Sequence, residues 1–285
     1  MAGPGKTIEE LLNDGELEQV LTLFQGALQE RGPDPERLLS MFNLQVRLHR
    51  FEDAEETLQR ALELAPQATA ALQAYGRYAR AEKARLTRLR DPVAAGQRAS
   101  LLAPPPHLLA YSAAAVQHAQ GNHAAAATAL QEAGASRPRT PGTFTWTSGR
   151  TMRFVDLVDL DALTGAVLPC FTGETLLDLP FSQLRTVRFL RGATSFDALW
   201  LPTELTLVDG QLARVRVPML YTGSGVSEHA AARSGNSTMF LYGSGYAVGI
   251  GQRDLELTGE RDERQMVGIL SAQQIDFDPR PAASA

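Results

Sequence analysis

The spacing of apolar positions changes partway along the chain. In the first half they fall on helical faces. Leu38, Met41, Leu44, Gln45 and Leu48 share one side of a helix that stops at Arg50-Phe51. Leu108, Leu109, Tyr111, Ala115 and Ala119 do the same before a turn at Gly121-Asn122. Ala, Leu, Gln and Glu dominate this half and β-branched residues are few, which favours helix. From about residue 151 the apolar segments become short and are bounded by Gly, Pro or Asp. Arg153–Leu160, Leu212–Leu220, Met239–Val248 and Gln265–Leu270 read as strands. Between the two textures, residues 136–143 carry two prolines and a glycine, with Gly149 beyond, and interrupt any regular element. The expected layout is an all-α repeat domain over 1–138, a linker over 139–150, a β-rich (α+β) domain over 151–278 and a disordered tail over 279–285. The fold class expected is α+β multidomain.

The helical half repeats itself. Ala54, Leu58 and Ala61 lie on a helix that Pro66 ends; 34 residues earlier stand Val20, Phe24, Ala27 and Gly32, and 72 residues later Ala126, Leu130, Ala133 and Pro138. This is the second half of a tetratricopeptide-type repeat, whose period is about 34 residues. The small residue lets the two helices of a hairpin close up, the larger one fills the gap between hairpins, and proline ends the helix. A plain helical bundle would satisfy much of the same pattern. Hairpins stacked in series leave a concave surface suited to a peptide or helix from another protein. Leu38, Met41 and Gln45 are candidate binding positions on it.

A helix over about 68–90, out of register with the repeat, is followed by a shorter one capped at Asp91-Pro92. The longer helix is the most charged local feature. Arg77, Arg80, Arg85 and Arg88 fall on one side, and Leu72, Tyr75, Tyr78, Leu86 and Leu89 on the other. Arg77 and Arg80 could meet an acidic partner surface. The plainer reading, a solvated basic face with the aromatics in the core, is favoured because the surrounding half is net acidic.

Composition narrows the classes. The 285 residues are 44% hydrophobic and 21% charged, ordinary for a globular chain. With 27 basic and 32 acidic residues the net charge is −5, which gives no reason to expect nucleic acid. No apolar run approaches the roughly 18 residues of a transmembrane helix. The start, Met1–Lys6, lacks the apolar core of a signal peptide, so a cytoplasmic protein without membrane contact is expected. Cys170 is the single cysteine, which rules out an internal disulfide and a multi-thiolate metal site.

Candidate chemistry is sparse, and no catalytic residue, cofactor or metal is assigned. The histidines at 49, 107, 118, 123 and 229 lack the i, i+4 spacing of a helical metal pair; His118 and His123 flank a turn and read as surface residues. Asp156, Asp159 and Asp161 could do acid–base work, but solvated acids at a strand end account for them more simply. Gly243-Ser244-Gly245 is no dinucleotide loop, because the residues after it alternate like a strand where that fingerprint needs a helix. Cys170 follows Pro169 in an apolar setting and reads as a buried, inert thiol. Thr222–Thr238, rich in Gly, Ser and Ala, is expected to be a mobile loop.

An ordered series across about residues 153–277 resembles the ImpE/TagJ (SciE-type) family of type VI secretion accessory proteins. Asp159-Leu160-Asp161 comes first, then Gly173, Pro180-Phe181, the run Phe196-Asp197-Ala198-Leu199-Trp200 and Pro202. Leu205, Leu207, Gly210, Pro218, Tyr221, Gly223 and Ser224 follow. Thr238, Gly249-Ile250-Gly251-Gln252-Arg253, Leu270 and Ile275 close the series. The departures are Leu176–Leu179 in place of an aromatic before Pro180, Thr222 for a proline and Phe240 for a tryptophan. The resemblance implies a non-enzymatic cytoplasmic adaptor that binds the small subunit of a contractile sheath, through its N-terminal helix, and connects it with the AAA+ ATPase that recycles the sheath.

In the β-rich half Trp200, Tyr221, Gln252 and Arg253 are candidate interface anchors, since aromatic and arginine side chains often hold interfaces. The alternative for each is a structural role: Trp200 in the core, Arg253 paired with a strand acid such as Asp254 or Glu256. Two rival functions stand beside the sheath adaptor. One is a general peptide-binding adaptor unrelated to a sheath. The other is an enzyme using Asp159 and Asp161 or Cys170, which needs a pocket where titratable groups converge.

Overall fold

The computed structural model describes residues 6–191, 199–243 and 245–279. Eight helices come first: α1 (Ile8–Asn13), α2 (Leu17–Arg31), α3 (Pro35–Arg47), α4 (Phe51–Leu64), α5 (Thr69–Thr87), α6 (Pro92–Gly96), α7 (Pro106–Ala119) and α8 (His123–Ser136). Sequence dictates their ends. Asp34 caps α3, accepting from the Arg37 N–H at 3.1 Å, with Pro35 opening the helix. Asp91 caps α6 through the Val93 N–H, as its sequence suggests. The repeat residues are the closest-packed ones: Val20, Ala54, Ala61, Ala126 and Ala133 are fully buried where paired helices meet. At Gly76 a Cβ would stand 2.9 Å from Leu58 Cδ2, so glycine lets α5 close on α4.

Strands β1 (Gly142–Trp146), β2 (Thr151–Phe154), β3 (Asp156–Asp159), β4 (Val167–Thr172), β5 (Thr175–Pro180), β6 (Leu184–Phe189), β7 (Trp200–Leu207) and β8 (Leu212–Pro218) follow. After the short helix α9 (Ala230–Ser234) come β9 (Thr238–Gly243), β10 (Tyr246–Gly251), β11 (Asp254–Thr258), β12 (Arg264–Gly268) and β13 (Ala272–Phe277). Eight form one antiparallel sheet, ordered β2-β1-β13-β6-β7-β8-β4-β5; β12-β11-β3 form a second and β10-β9 a hairpin. β7 shows why: its side chains alternate buried and half-buried along most of its length, the period-two pattern of a strand with one covered face.

Three expectations need correction here. The segment 139–150 is not simply a linker, because it contributes β1, which pairs Gly142 with Phe277 and with Phe154. Gly142 is part of the ladder; a Cβ there would lie 2.2 Å from the Asp276 carbonyl oxygen. Met239–Val248 is two strands rather than one, folded as the β9–β10 hairpin. The 222–238 segment is a docked element. Ser224, Gly225 and Ala232 are buried, and a Cβ on Gly225 would fall 1.5 Å from the Arg47 carbonyl oxygen. Its small residues serve close approach. Of the expected tail, residues 280–285 lie outside the described residues, as do Phe196–Ala198 of the family run.

The two halves share a seam. Phe171, Leu176, Leu199 and Trp200 of the strand-rich half belong to the hydrophobic cluster of the helices. Arg47 on α3 donates to the Arg233 and Ser234 carbonyls at 2.9 and 3.0 Å, and Arg233 donates to the Gly15 carbonyl at 3.0 Å. The C-terminal part of the basic side of α5 is used here, which corrects the reading as a solvated face for Arg85 and Arg88, while Arg80 stays exposed. Arg85 is buried, pairs with Glu82 and donates to the Leu220 carbonyl (3.0 Å) and the Thr222 hydroxyl (2.9 Å); Arg88 pairs with Asp178 at 2.6 Å. Helical periodicity separates a charged side from an apolar one. It does not reveal that a second domain covers part of the charged side.

Candidate functional site

Two kinds of site emerge: a buried polar cluster at the edge of the strand-rich half, and grooves on the helices. In the cluster, Asp159 ends β3 and accepts from Arg253 Nη1 at 2.9 Å, from the Tyr221 hydroxyl at 2.8 Å and from the Asp161 N–H at 2.8 Å. Asp161 accepts from the backbone N–H groups of Gly249 (2.9 Å) and Thr164 (3.1 Å). The Arg253 guanidinium also lies 5.4 Å from the Tyr221 ring centre. Both acids are buried, so their reading as solvated residues is corrected, and the partner of Arg253 is Asp159 rather than Asp254 or Glu256.

Burial pushes the Asp159 carboxyl up to about 7 against the pull of Arg253, pushes Asp161 up as well, and raises the Tyr221 hydroxyl. These acids are occupied by strand-to-loop bonds, so the cluster acts as a strut between β3, the 221 turn and the Arg253 bend. A raised folded pKa means that the native state holds a proton the unfolded chain has lost. The contribution of Asp159 to stability is therefore full below about pH 4 and is lost as pH rises through about 7. Unfolding free energies of the wild type and Asp159→Asn should differ most in the wild type's favour near pH 4, with the difference shrinking steadily to pH 7.5. A pH-independent difference over that range would remove this account.

Other titratable candidates are packed or dispersed. Cys170 is fully buried and its thiol is pushed up by burial, in line with an inert thiol. His123 is exposed and His118 half-buried, and the two are linked: both Nδ1 atoms lie on the Tyr246 hydroxyl, at 3.1 and 2.7 Å, and tie α8 and α7 to β10. Among the described residues no group of three or more His, Cys, Asp or Glu side chains is placed to hold a metal ion.

Two of the open grooves among the described residues of the helices bear on the predicted binding positions. One, of about 450 Å³, runs between α4 and α5; Phe42, Phe51, Leu58 and Leu62 form its floor, and Arg77, Arg80 and Lys83 stand along α5. The other, of about 560 Å³, lies among α2, α3 and α4 and is more polar, with Gln25, Gln29, Asp53, Glu56 and Arg60 around Met41 and Gln45. The predicted binding residues are thus split. Arg77 and Arg80 share the first groove, and Met41 and Gln45 lie under the second. Leu38 is fully buried between helices. Trp200, Tyr221 and Arg253 are interior residues and offer no surface, a correction to their reading as interface anchors; Gln252 is half-buried beside them. Leu62 and Lys83 also line the first groove, and no sequence signal beyond helical periodicity and charge marks them.

This architecture defines a helical-repeat protein whose array is locked edge-on to an antiparallel strand-rich domain. Residues 151–274 match the family model described as ImpE protein, and residues 11–78 match a tetratricopeptide-repeat model. The match to the ImpE family thus lies in the strand-rich half. The chain is similar to the type VI secretion system accessory component TagJ of Pseudomonas aeruginosa, with 28% identity over 278 residues, covering 96% of this chain and 92% of that protein. The crystal structure of protein VPA1032 from Vibrio parahaemolyticus has the same fold, with a TM-score of 0.82 at 18% identity over 96% of this chain and 98% of that one.

Proposed function

We propose that the chain is a non-enzymatic type VI secretion adaptor acting in the cytoplasm, and that the groove between α4 and α5 receives an amphipathic helix of a protein partner. The observation that carries this reading is the groove itself: an apolar floor with Arg77, Arg80 and Lys83 along α5 against the single acid Glu55, beside Gln59 and Gln73. A helix with an apolar stripe and an acidic flank fits that chemistry. The repeat match and the accessory role named for the Pseudomonas aeruginosa relative support the same reading. The partners proposed are the small sheath subunit, through its N-terminal helix, and the AAA+ ATPase that recycles the sheath.

The rim is adapted to change partners. Lys83 pairs with Glu52 and Arg80 with Glu174, but all four side chains are more than half exposed. Such pairs contribute little to stability, so an incoming carboxylate can replace Glu52 or Glu174 at small cost. Titration of the full chain with a peptide of the sheath subunit's N-terminal helix should show binding that weakens as salt is raised. Leu62→Asp combined with Arg77→Glu should lower that affinity by roughly tenfold or more. Absence of binding by the wild type, or unchanged affinity in a folded double variant, would overturn the assignment. Capture of the ATPase by the full chain tests the second partner separately.

A further inference from the structure

The seam between the halves holds a partly open cavity of about 80 Å³, lined by α5, α6 and α7 from the helical half and by β4, β5, β10, the 161–164 loop and the 221–222 turn from the other. Four guanidinium groups line it: Arg85, Arg88, Arg98 and Arg253. Three have a carboxylate in close contact. Glu82 is 2.5 Å from Arg85, Asp178 is 2.6 Å from Arg88 and Asp159 is 2.9 Å from Arg253. Arg98 does not: it reaches the already engaged Asp178 only at 3.8 Å and donates long bonds of 3.5 and 3.3 Å to the Tyr111 and Leu163 carbonyls. Asp161, the other acid lining the cavity, is taken up by backbone N–H groups. The Nε–H groups of Arg98 and Arg253 are both buried without an acceptor. Two charged donors on one small cavity, both unsatisfied, carry a large desolvation cost unless something accepts from them.

We propose that this cavity binds a small oxyanion, a free phosphate or carboxylate held by the Nε–H groups of Arg98 and Arg253. Thr164 and Thr222 also line the cavity, and their hydroxyls could add neutral donors. Thr222 stands where the family resemblance leads one to expect proline, which has no hydroxyl to give. An oxyanion supplies several acceptor atoms and a negative charge for Arg98, which otherwise only shares Asp178 with Arg88 at a longer distance; a water supplies acceptors alone. The cavity's size suits a free ion rather than a polypeptide side chain with its backbone. Arg88 and Arg98, which line it, keep 18% and 11% of their side chains exposed. Because its walls come from both halves, a bound anion would fasten the seam and stabilise the folded chain by mass action.

The test is thermal unfolding and calorimetric titration of the full chain with inorganic phosphate and, in a second arm, acetate, each against chloride at matched ionic strength. Saturable binding of either oxyanion is expected, with the melting temperature raised by about 3 °C at tenfold excess over Kd. Stronger binding of phosphate would assign the site to phosphate, and of acetate to carboxylate. Arg98→Gln should weaken binding by roughly tenfold or more. A response equal to that in chloride, or equal in wild type and Arg98→Gln, would overturn the proposal. Should Arg98→Gln not fold, a crystal structure in phosphate decides: oxyanion density bonded to both Nε atoms supports the site, and water alone refutes it.

Discussion

Replacing Arg253 with alanine is expected to cost the fold about 3–5 kcal/mol, the usual result of stripping one partner from a buried ion pair. Its side chain is 2% exposed and that of Asp159 is 0%. Without the guanidinium, Asp159 keeps only the Tyr221 hydroxyl and the Asp161 N–H, two neutral donors for a charge that burial already disfavours. The carboxyl then moves further above about 7, so the variant takes up a proton on folding over a wider pH range. Its deficit should therefore be smaller at pH 5 than at pH 8. Urea unfolding of both proteins at the two pH values measures this directly. Arg253→Met separates packing from charge: it fills much of the space but, like alanine, gives Asp159 no counter-charge. If the alanine variant lost less than about 1 kcal/mol at pH 8, the pair would be behaving like a solvated one and the strut account would fail.

That pair marks the limit of what the residues disclose in order along the chain. Asp159 and Arg253 are 94 positions apart, and nothing near either predicts the other. Local grammar is legible. The Asp91-Pro92 start, the small-large-small spacing on α4 and α8, and the strand over Leu212–Pro218 each reflect one element's own geometry. What one half does to the other is not legible. A basic side of α5 reads as solvated until the 221–222 turn covers Arg85, and Gly225 reads as loop material until α3 lies against it. β1 was hidden for a related reason. Pro141 and Gly142 are breakers by local rules, yet the alternating Thr143-Phe144-Thr145-Trp146 gains a ladder from β13, more than a hundred residues later. Residue type leaves Tyr221 and Arg253 open between interface anchor and structural role; their burial makes them interior struts. The grooves were half legible. Arg77 and Arg80 point to one of them by charge, whereas the apolar floor beneath looks like any helical core.

Trp200→Ala should be comparably damaging to stability, about 3–5 kcal/mol, while leaving partner affinity intact wherever the protein is folded. Trp200 is 2% exposed and sits in the helical cluster although it opens a strand. Its ring is 5.8 Å from that of Tyr78, and its indole N–H donates to Glu82 at 3.4 Å, the same carboxylate that grips Arg85. Truncation thus opens a cavity and takes a donor from a buried acid that anchors α5 to the 220–222 turn. Trp200→Phe keeps most of the packing and removes only the N–H, so it should cost about 1–3 kcal/mol. An interface anchor behaves in the opposite way: alanine there leaves unfolding nearly unchanged and abolishes binding. Chemical unfolding and helix-peptide titration of the two variants, both run well below their melting temperatures, distinguish these cases. Full stability of Trp200→Ala together with lost peptide binding would return Trp200 to the surface role that its sequence neighbourhood suggests.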